Sequence, residues 1–568
     1  MIKILDTFRE IFKRWIIPAG WLEFRRIYLT RSTQKFWRGS LVDAPPIETL
    51  YFSQIGKKAH TITYLDDSRS AIYLNPGVTH LPTISGSGDV LQFAISADKW
   101  SDSDYVYIVA DGESINHNYL KPRCWLDIRL PLTRRTLESF YIKTSRPIYL
   151  SYPRLVTTLA QPNLVHKKLI NHVLVIVLDG MTPYFEMVDS SLLPGGKVSP
   201  NIDRFFAKGF FASNAWSTGE WTLPTTASFF TGLYTSRHGA YHPTLPTYMP
   251  SQPLLAEILQ DHGFHTLALS TANRLTPAYG SHRGFDRFIY HWPYHGYTSL
   301  DYDPARWCHE ICSHLDLHRN DRSFIYAHFP DTHPVWDIPP LTRSFNLLRR
   351  GDGVGHNLSA LKNSNKAKEQ GPFLNMIRLH ELDRILGGVF NFIETNISDE
   401  TLVILTSDHG TPWSQLRALR PADEPYLVNH RTKINFKMRG PGVLPANFER
   451  LCSPSIDLLP TIFSKLGIAI PDGIDGLNML NPCYSRNLAI SESFYGGKYE
   501  LALRSCNRVY IEKYLFNNDN PKFLEPPFYM KLFDIDENDY SNYLNEDIST
   551  YKMAARRHIE KVGMTVSD

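Results

Sequence analysis

Cysteine is scarce in this sequence, with six residues among 568, and no two of them form a CxxC pair. Small secreted domains held together by disulfides carry a much higher share of cysteine. The sequence therefore excludes a disulfide framework. Cys308 and Cys312 flank His309 at a spacing that fits one face of a helix, and we interpret them as structural thiols because a metal site needs further ligands nearby.

Long hydrophobic runs and an excess of one charge sign are also missing. No stretch approaches about 18 apolar residues, and charges interrupt the N-terminal stretch every few positions, so the sequence predicts neither a transmembrane helix nor a secretory signal peptide. Lysine and arginine total 60 against 57 aspartate and glutamate, a formal net charge of +3, which argues against electrostatic binding to nucleic acid. We therefore expect a cytoplasmic protein with no nucleic-acid partner.

Residues 1–40 form a distinct basic segment. Nine lysine and arginine side chains stand against three aspartate and glutamate side chains within residues 1–38. Apolar residues at near-helical spacing accompany them: Ile4, Phe8, Ile11, Phe12 and Trp15. This pattern predicts a basic amphipathic helix, which either makes a peripheral contact with an anionic membrane surface, at the inner membrane face, or packs on its own domain.

Residues 41–165 are rich in β-prone sequence. Short runs such as TITYL, AIYL, VLQFAIS and YVYIVA are separated by turn-forming residues, among them Asn75-Pro76-Gly77. Several short strands at this spacing are typical of a sandwich or a barrel. We predict an N-terminal β-rich, sandwich-like accessory domain with its boundary near Gln161-Pro162-Asn163.

Residues 166–568 follow a different pattern. Val173 to Leu178 is a continuous apolar run, and HTLALS, FIYAHF and TLVILTS are further runs of the same kind, separated by helix-length segments. Strands buried on both faces that alternate with helices predict an α/β domain whose mixed, mainly parallel sheet is sandwiched by helices. Residues 345–371, rich in glycine, asparagine and lysine, are predicted to be a surface loop or lid.

Three of these apolar runs end in ionisable residues. Asp179 follows the first run, Asp331 and His333 follow FIYAHF, and Asp408 and His409 follow TLVILTS. Functional groups in parallel sheets lie at the carboxyl ends of strands, so we expect these side chains to share one edge. Buried carboxylates and imidazoles are unfavourable unless they are paired, hydrogen-bonded or metal-bound. A mixed set of oxygen and nitrogen ligands suits Zn²⁺ or Mn²⁺.

A segment that begins at Thr218 and ends near Gly232 is predicted to be a turn that leads into a helix. The hydroxyl of Thr222 would lie at the helix N-terminus, where backbone N–H groups and the helix dipole favour anionic oxygens. A plain helix cap by Thr218 or Thr222 explains the same residues, and the local sequence by itself favours the cap.

Taken in order along the chain, several short motifs resemble those of the sulfatase and alkaline-phosphatase superfamily. Ser199 to Phe205 is similar to TPNIDRL, Thr222 to Gly239 lies at the place of the nucleophile motif CxPxR…TGxYxxRHG, and Ser407 to Gly410 is similar to SDHG. Further similar elements are His328–Pro334, Arg439–Val443, Asp457–Thr461 and Lys531–Asp534. The ordered set spans residues 173–545 and implies an alkaline-phosphatase-like catalytic domain.

The resemblance implies a role for each matching residue. It makes Thr222 the nucleophile and gives the metal ligands as Asp179, Thr222, Asp408 and His409. It also implies a catalytic His333 that contacts the transferred group or protonates the leaving group. The implied substrate-binding residues are His333, Asp331, His430 and Lys433. The implied cofactor is a divalent metal ion, Zn²⁺ or Mn²⁺ foremost, with Ca²⁺ or Mg²⁺ as alternatives.

Three positions depart from the commonest sulfatases. Those enzymes convert a cysteine or serine of the nucleophile motif to formylglycine, but Thr222 cannot form that aldehyde, and Thr226 stands in place of the motif's arginine. Gly180 stands where sulfatases usually carry a second aspartate. The chain instead resembles the threonine-nucleophile branch, which includes phosphoethanolamine and phosphoglycerol transferases and nucleotide pyrophosphatases.

Two further features of relatives have several candidate residues here. A second metal ion would require Asp331 or His333 to converge with a later histidine such as His430. Many relatives also hold the anion with a lysine or arginine after SDHG. The candidates for that cation are Arg417, Arg420, Arg431 and Lys433.

The leading hypothesis is a metal-dependent hydrolase or transferase that acts on phosphate esters through Thr222, by phosphodiester hydrolysis or by transfer of a phospho group. We expect a small-molecule or glycan phosphate ester as substrate. A sulfuric ester hydrolase of the same fold and a catalytically inactive glycan- or partner-binding protein are the alternatives. The exact substrate and the oligomeric state stay open at this point.

Overall fold

The structure is a computed structural model. It describes residues 56–57, 59–64, 67–84, 88–156, 170–183, 193–241, 249–250, 252–272, 275–290, 302–333, 365–411, 425–495, 497–517, 520–536 and 543–567. The predicted basic segment 1–40 and the candidate cations Arg417 and Arg420 lie outside the described residues. Within the described ranges, none of the helices combines the length and the apolar character needed to cross a membrane.

The strands and α-helices are numbered in chain order. The strands are β1 His60–Tyr64, β2 Asp67–Leu74, β3 Gly77–Leu81, β4 Val90–Ser96, β5 Val106–Ala110, β6 Glu113–His117, β7 Leu126–Pro131, β8 Phe140–Thr144, β9 Ile148–Ser151, β10 Arg154–Val156, β11 His172–Leu178, β12 Phe210–Ala212, β13 Phe264–Ser270, β14 Arg287–Tyr290, β15 Arg322–Phe329, β16 Thr401–Thr406, β17 Phe436–Arg439, β18 Ala446–Phe448, β19 Ala489–Tyr495, β20 Lys498–Arg504, β21 Arg508–Asn517, β22 Asn520–Leu524, β23 Tyr529–Asp534 and β24 Thr565–Val566. The helices are α1 Pro200–Phe206, α2 Thr222–Thr231, α3 Thr235–His238, α4 Leu255–Asp261, α5 Pro304–Leu317, α6 Asn365–Asn396, α7 Asn429–Thr432, α8 Pro454–Leu466 and α9 Ser549–Lys561.

A mixed sheet forms the central layer. Five neighbouring strands run parallel in the order β14-β13-β15-β11-β16, and β17 continues the sheet antiparallel to β16. Val173 and Val177 of β11 pack on one face against α2, α4 and α8, while Leu174 and Leu178 pack on the other face against α1, α5 and α6. This arrangement follows from the alternation of side chains along a strand that is apolar throughout. The predicted α/β fold, with a mainly parallel sheet sandwiched by helices, is confirmed.

The N-terminal β-rich region is also present, and it is joined to the central sheet. Strands β3-β8-β5-β6 form a four-stranded antiparallel sheet that shares one apolar core with β2, β4 and β9. β2 in turn pairs antiparallel with β14, where Ser68 lies opposite Phe288 and Asp67 opposite Ile289. One continuous sheet therefore crosses the predicted boundary at residue 165, and the division into separate domains stays a prediction.

A C-terminal sheet is a feature that the sequence analysis did not separate from the rest of residues 166–568. Strands β19-β20-β21-β22-β24, with β23 beside β21, form six strands that pack on α9. Glu500 of β20 accepts the backbone N–H groups of Tyr426 and Leu427, at 2.7 Å each. This sheet therefore anchors the chain just before α7, which borders the candidate site.

The predicted loop 345–371 requires a correction at its end. Residues 345–364 lie outside the described residues, but α6 begins at Asn365, so 365–371 are helical. Ala367, Lys368, Glu369 and Gln370 are strong helix formers, and the glycine- and lysine-rich composition concealed that local preference.

Candidate metal centre

The carboxyl ends of β11, β15 and β16 bring the predicted ionisable residues to one edge of the sheet. β11 pairs in parallel with both β15 and β16, so the three strands end side by side. Asp179 follows β11, His333 follows β15 after a short turn, and Asp408 and His409 follow β16. These four side chains lie close together, as their positions at the strand ends predict.

The carboxylate oxygens and imidazole nitrogens of this cluster lie close enough to surround a single small ion. Nε2 of His409 lies 3.5 Å from Oδ1 of Asp179 and 3.4 Å from Oδ2 of Asp408. Nε2 of His328 lies 3.3 Å from Oδ2 of Asp179 and 3.6 Å from Oδ2 of Asp408. Nε2 of His333 lies 4.0 Å from Oδ1 of Asp179. Asp179, His333 and His409 form one possible ligand group, and Asp179, His328 and Asp408 form another.

Four atoms of the cluster are buried and have no hydrogen-bond partner among the described residues: Oδ1 of Asp179, Oδ2 of Asp408, Nε2 of His328 and Nε2 of His409. The side chains of Asp179 and Asp408 are 3% and 0% exposed. Buried carboxylate oxygens without partners are strongly unfavourable. A divalent cation between them would satisfy all four atoms, so the residues present fit a metal ion.

Neighbouring backbone groups hold two of the ligands in orientation. Oδ1 of Asp408 accepts the N–H of Gly180 at 3.0 Å and that of His409 at 2.8 Å, which turns Oδ2 toward the cluster. Nδ1 of His409 lies 2.9 Å from the carbonyl oxygen of Gly410. Because a carbonyl only accepts, the proton resides on Nδ1, and the lone pair of Nε2 is left for a metal.

His328 is a site residue that the sequence analysis quoted within a motif but did not assign. It is fully buried on β15, and its Nδ1 lies 3.1 Å from the hydroxyl of Tyr326. Burial opposes protonation of His328, but its contact with Asp179 and the charge of Asp408 outweigh burial and raise its pKa. The signal in the sequence is a histidine inside the otherwise apolar run FIYAHF.

His333 and Asp331 lie on the same turn but face different surroundings. The side chain of His333 is 31% exposed, the most open of the clustered side chains, and desolvation of its ring lowers its pKa despite the nearby Asp179. The Asp331 carboxylate accepts a hydrogen bond from the hydroxyl of Tyr302. Burial raises the pKa of Asp331 to about 6. Asp331 belongs to neither ligand group among the described residues, and its substrate-binding role stays a prediction.

Two glycines, Gly180 and Gly410, allow neighbouring chain segments to pack closely around the cluster. Gly180 has a φ of +66°, and a Cβ atom there would lie 2.9 Å from Oγ1 of Thr411 and 3.3 Å from Cδ2 of His333. The second aspartate that sulfatases usually carry at this place would therefore meet both neighbours. A Cβ atom on Gly410 would lie 2.1 Å from the carbonyl oxygen of His430, so α7 packs against a position that only glycine fits.

Thr222 is the first residue of α2, a helix whose residues are all buried. Ser217 donates its hydroxyl to the carbonyl oxygen of Asp408 at 2.6 Å and lies 3.2 Å from Oγ1 of Thr225. These contacts tie the first turn of α2 to the Asp408 loop. Thr222 is 7% exposed at the positive end of the helix dipole, and its membership of the ligand set stays a prediction.

The described cations after Asp408 differ in their surroundings. The N–H of Gly410 donates to the carbonyl oxygen of Arg431 at 2.7 Å, which places α7 beside the metal ligands. Nη1 of Arg431 donates to the hydroxyl of Tyr426 at 3.2 Å, while its Nε is buried without a partner in the described part of the chain. Nζ of Lys433 lies 5.7 Å from the ring centre of Trp216. The Nε of Arg431 is thus a buried donor without a partner among the described residues, and the roles of Arg431, His430 and Lys433 toward a substrate anion stay predictions.

Another buried group, His265, His318 and Asp321, also has the spacing of metal ligands. Arg154 lies 2.7 Å from Nδ1 of His265, and because a guanidinium only donates, the ring proton must be on Nε2. Arg129 pairs with Asp321 at 2.7 Å. Two guanidinium charges thus already lie against this group, which disfavours a further cation, although Nε2 of His265 and Oδ1 of Asp321 have no hydrogen-bond partner among the described residues.

The comparison with known families matches the Sulfatase family model over residues 171–468, just over half of the chain. Among curated proteins, an extracellular sulfatase SULF-1 homolog of Drosophila melanogaster is 28% identical over 117 residues, which are 20% of this chain and 10% of that protein. A multifunctional alkaline phosphatase superfamily protein, PehA of Trinickia caryophylli, is 35% identical over 101 residues, which are 18% of this chain and 20% of that protein. The matched stretches are therefore short parts of both relatives.

Solved structures share the fold over more of the chain. A Bacteroides thetaiotaomicron protein (4S-sulf), from a core genetic locus for the metabolism of multiple glycosaminoglycans, superposes with a TM-score of 0.53 at 16% identity, covering 69% of this chain and 96% of its own. The phosphonate monoester hydrolase SpPMH of Silicibacter pomeroyi has a TM-score of 0.50 at 16% identity and covers 69% and 94%. Fold, motif order and buried ligand cluster agree: the chain belongs to the sulfatase family, within the alkaline phosphatase superfamily.

Proposed function

We propose that this chain cleaves or transfers phosphate esters through a Thr222 nucleophile. Family membership supports a hydrolase that acts on esters. The observation that carries the choice of phosphate over sulfate is the residue at the nucleophile position, because threonine at 222 cannot be converted to formylglycine. The four unpartnered ligand atoms beside α2 support a metal-dependent enzyme over an inactive binding protein.

Each residue of the site has a task in this proposal. The hydroxyl of Thr222 releases its proton to solvent and its Oγ1 attacks phosphorus, so an O–P bond to threonine forms while the bond to the leaving oxygen breaks. His333, the most exposed of the clustered histidines, donates a proton to that oxygen. The N-terminus of α2 and the buried Nε of Arg431 stabilise the anionic oxygens of the phosphoryl group.

The bound divalent ion would supply charge neutralisation and lower the pKa of the threonine hydroxyl. Asp179, Asp408, His409 and His328 would hold it, since each carries a buried ligand atom without another partner among the described residues. Water or an acceptor alcohol then takes the phosphoryl group from Thr222, and this choice separates a hydrolase from a transferase. A small-molecule or glycan phosphate ester is the proposed substrate.

The test compares Thr222→Val with Thr231→Val in the full-length metal-loaded protein. Both residues are buried threonines of α2, but Thr231 lies at the opposite end of the helix, where its hydroxyl donates to the carbonyl oxygen of Ala227. Phosphodiester, phosphomonoester and sulfate ester substrates are assayed, together with bound metal by elemental analysis. We expect phosphodiester or phosphomonoester turnover that falls on the order of 10³-fold or more in Thr222→Val and stays near wild type in Thr231→Val.

Each other outcome identifies a competing function. Sulfate ester hydrolysis that exceeds phosphate ester hydrolysis and requires Thr222 would replace the proposal with a sulfuric ester hydrolase. Turnover that survives in Thr222→Val would show that another group is the nucleophile. Wild-type protein that neither binds metal nor turns over any of the three esters would identify a binding protein.

A further inference from the structure

A cavity of about 320 Å³ lies between the N-terminal strands and α4. Residues of β2, β4, β7 and 151–154 line one side, and α4 with the turn before β14 lines the other. We call it the α4 cavity. Its volume is within the range of about 300–1,000 Å³ that is usual for small-molecule sites.

The α4 cavity is separate from the candidate metal centre. α4 ends at Asp261, just before β13 begins, so the cavity lies near the amino ends of the parallel strands. The metal ligands follow the carboxyl ends of the same sheet. A strand of this length spans about 20 Å, which separates the two sites.

The three arginines that line the α4 cavity are all paired within the protein. Arg69 binds Asp67 and Asp127. Arg154 pairs with Asp286 and donates to the carbonyl oxygen of Phe264. Arg283 pairs with Glu257 at 2.8 Å and also donates to the carbonyl oxygens of Pro250 and Gln252. Their guanidinium groups are therefore already bonded within the protein, which argues against an anion as the ligand of this cavity.

The walls of the α4 cavity carry hydrogen-bond acceptors and carboxylates that the lining arginines do not satisfy. Gln92 of β4 is 9% exposed, and its Oε1 is buried without a partner among the described residues. Asp261 is exposed at the mouth and forms no salt bridge in the described ranges; partial desolvation and the charge of Glu257 raise its pKa, and His262 opposes that shift. The lining carboxylates, Asp127, Glu257, Asp261 and Asp286, also outnumber the three guanidinium groups. A ligand with N–H donors and positive charge complements such walls.

Tyr152 supplies an aromatic ring to the α4 cavity. Phe93 and Phe285 also line the cavity, but their rings pack into the apolar cores, against Phe140 and Phe324 respectively. Tyr152 is half-buried and lines the same cavity as Asp261, and burial together with the charge of that carboxylate raises the pKa of Tyr152. An aromatic surface next to a carboxylate is a recognition pattern for ammonium groups that carry a carbon chain.

We propose that the α4 cavity binds a small organic amine. An ammonium group lies against Asp261, an N–H donates to Oε1 of Gln92, and the carbon chain packs on the ring of Tyr152. The uncommitted acceptors and the net negative lining carry this assignment.

Isothermal titration of the full-length metal-loaded protein with 1,4-diaminobutane tests the proposal. Neutral 1,4-butanediol and glucose are titrated in parallel, because a site that recognises hydroxyl groups would prefer them. Asp261→Asn removes the charge at the mouth, and Asp316→Asn is the matched control, since Asp316 is an exposed carboxylate on α5 that pairs with Arg319. Gln92→Leu removes the buried acceptor and should raise the Tm of the unliganded protein, because an unsatisfied polar group is lost.

We expect saturable binding of one diamine per chain, weakened about tenfold or more by Asp261→Asn, weakened by Gln92→Leu, and unchanged by Asp316→Asn. Absence of saturable binding to wild type would overturn the proposal. So would binding that Asp261→Asn leaves unchanged, which places the diamine elsewhere. Preference for butanediol or glucose over the diamine would assign the cavity to neutral hydroxyl ligands instead.

Discussion

If the buried cluster is a metal centre, replacing Asp408 with asparagine should stabilise the metal-free protein and destabilise the metal-loaded protein. Asparagine keeps an Oδ1 that accepts the N–H groups of Gly180 and His409, so the local hydrogen bonds survive. It replaces Oδ2, which lies 3.4 Å from Nε2 of His409 and 3.6 Å from Nε2 of His328, by a neutral amide nitrogen. The perturbation therefore removes one buried charge with little change in shape.

The size of this stability change follows from the burial of the two carboxylates. Without a cation, two carboxylates that are 3% and 0% exposed both lie within 3.6 Å of Nε2 of His328, and nearby histidine rings offset their charge only when those rings are protonated. Removing one charge then relieves about 1–3 kcal/mol of desolvation and repulsion, so the metal-free variant should be more stable than metal-free wild type. With metal available, wild type gains the free energy of binding the ion, and the variant loses most of that gain because a charged ligand is missing.

The assay measures bound metal by elemental analysis and Tm by calorimetry, each before and after chelation. We expect chelation to lower the Tm of wild type by several degrees, to leave Asp408→Asn nearly unchanged, and to reverse the order of the two. Asp316→Asn, at an exposed ion pair on α5, should follow wild type in both conditions. If Asp408→Asn retained wild-type metal content and the same response to chelation, the assignment of the cluster as a metal centre would be refuted.

Three further predictions address other parts of the molecule. Gly180→Asp should lower the free energy of unfolding by about 1–3 kcal/mol without creating sulfatase activity, because φ is +66° and a Cβ atom would meet Thr411 and His333; calorimetry and a sulfate ester assay check this. Arg431→Lys should raise KM for a phosphate ester more than Lys433→Arg does, since only Arg431 has a buried Nε without a partner among the described residues; equal effects would contradict that assignment. Burial lowers the pKa of His172 from 6.5 to about 4, so between those values the unfolded chain binds a proton that the folded chain does not, and stability falls as the pH falls. His172→Gln should therefore reduce the loss of stability between pH 6.5 and 4 by roughly 3 kcal/mol in urea titrations, whereas the exposed His309→Gln should leave it unchanged.

Most of the central sheet could be predicted because its strands are apolar throughout. VLVIVL, HTLALS, FIYAHF and TLVILTS correspond to β11, β13, β15 and β16. The C-terminal sheet could not be separated in the same way, because the two faces of β21 pack in two different cores: Tyr510 packs against α9, and Ile511 packs with Leu427. Which face of such a strand is covered depends on partners that lie far away in sequence.

The candidate site was partly predictable for a related reason. Asp179, Asp408 and His409 follow buried parallel strands, and polar residues at such ends must meet at one edge. His328 was not predicted to be a site residue because it lies within β15, and the sequence alone does not show that its ring points at two carboxylates. Asp331 shows the opposite case: it follows the same strand, yet the turn directs its carboxylate to Tyr302.

The sequence by itself determined the strands of the parallel sheet and, through the order of its motifs, the family and the threonine at the nucleophile position, since these are properties of neighbouring residues along the chain. Only the tertiary structure decided which ligand atoms stay without partners, how β2 joins the N-terminal strands to β14, and that a cavity lined by surplus acceptors lies beside α4. Those features depend on distances between side chains that are remote in sequence, and packing of the whole chain sets such distances.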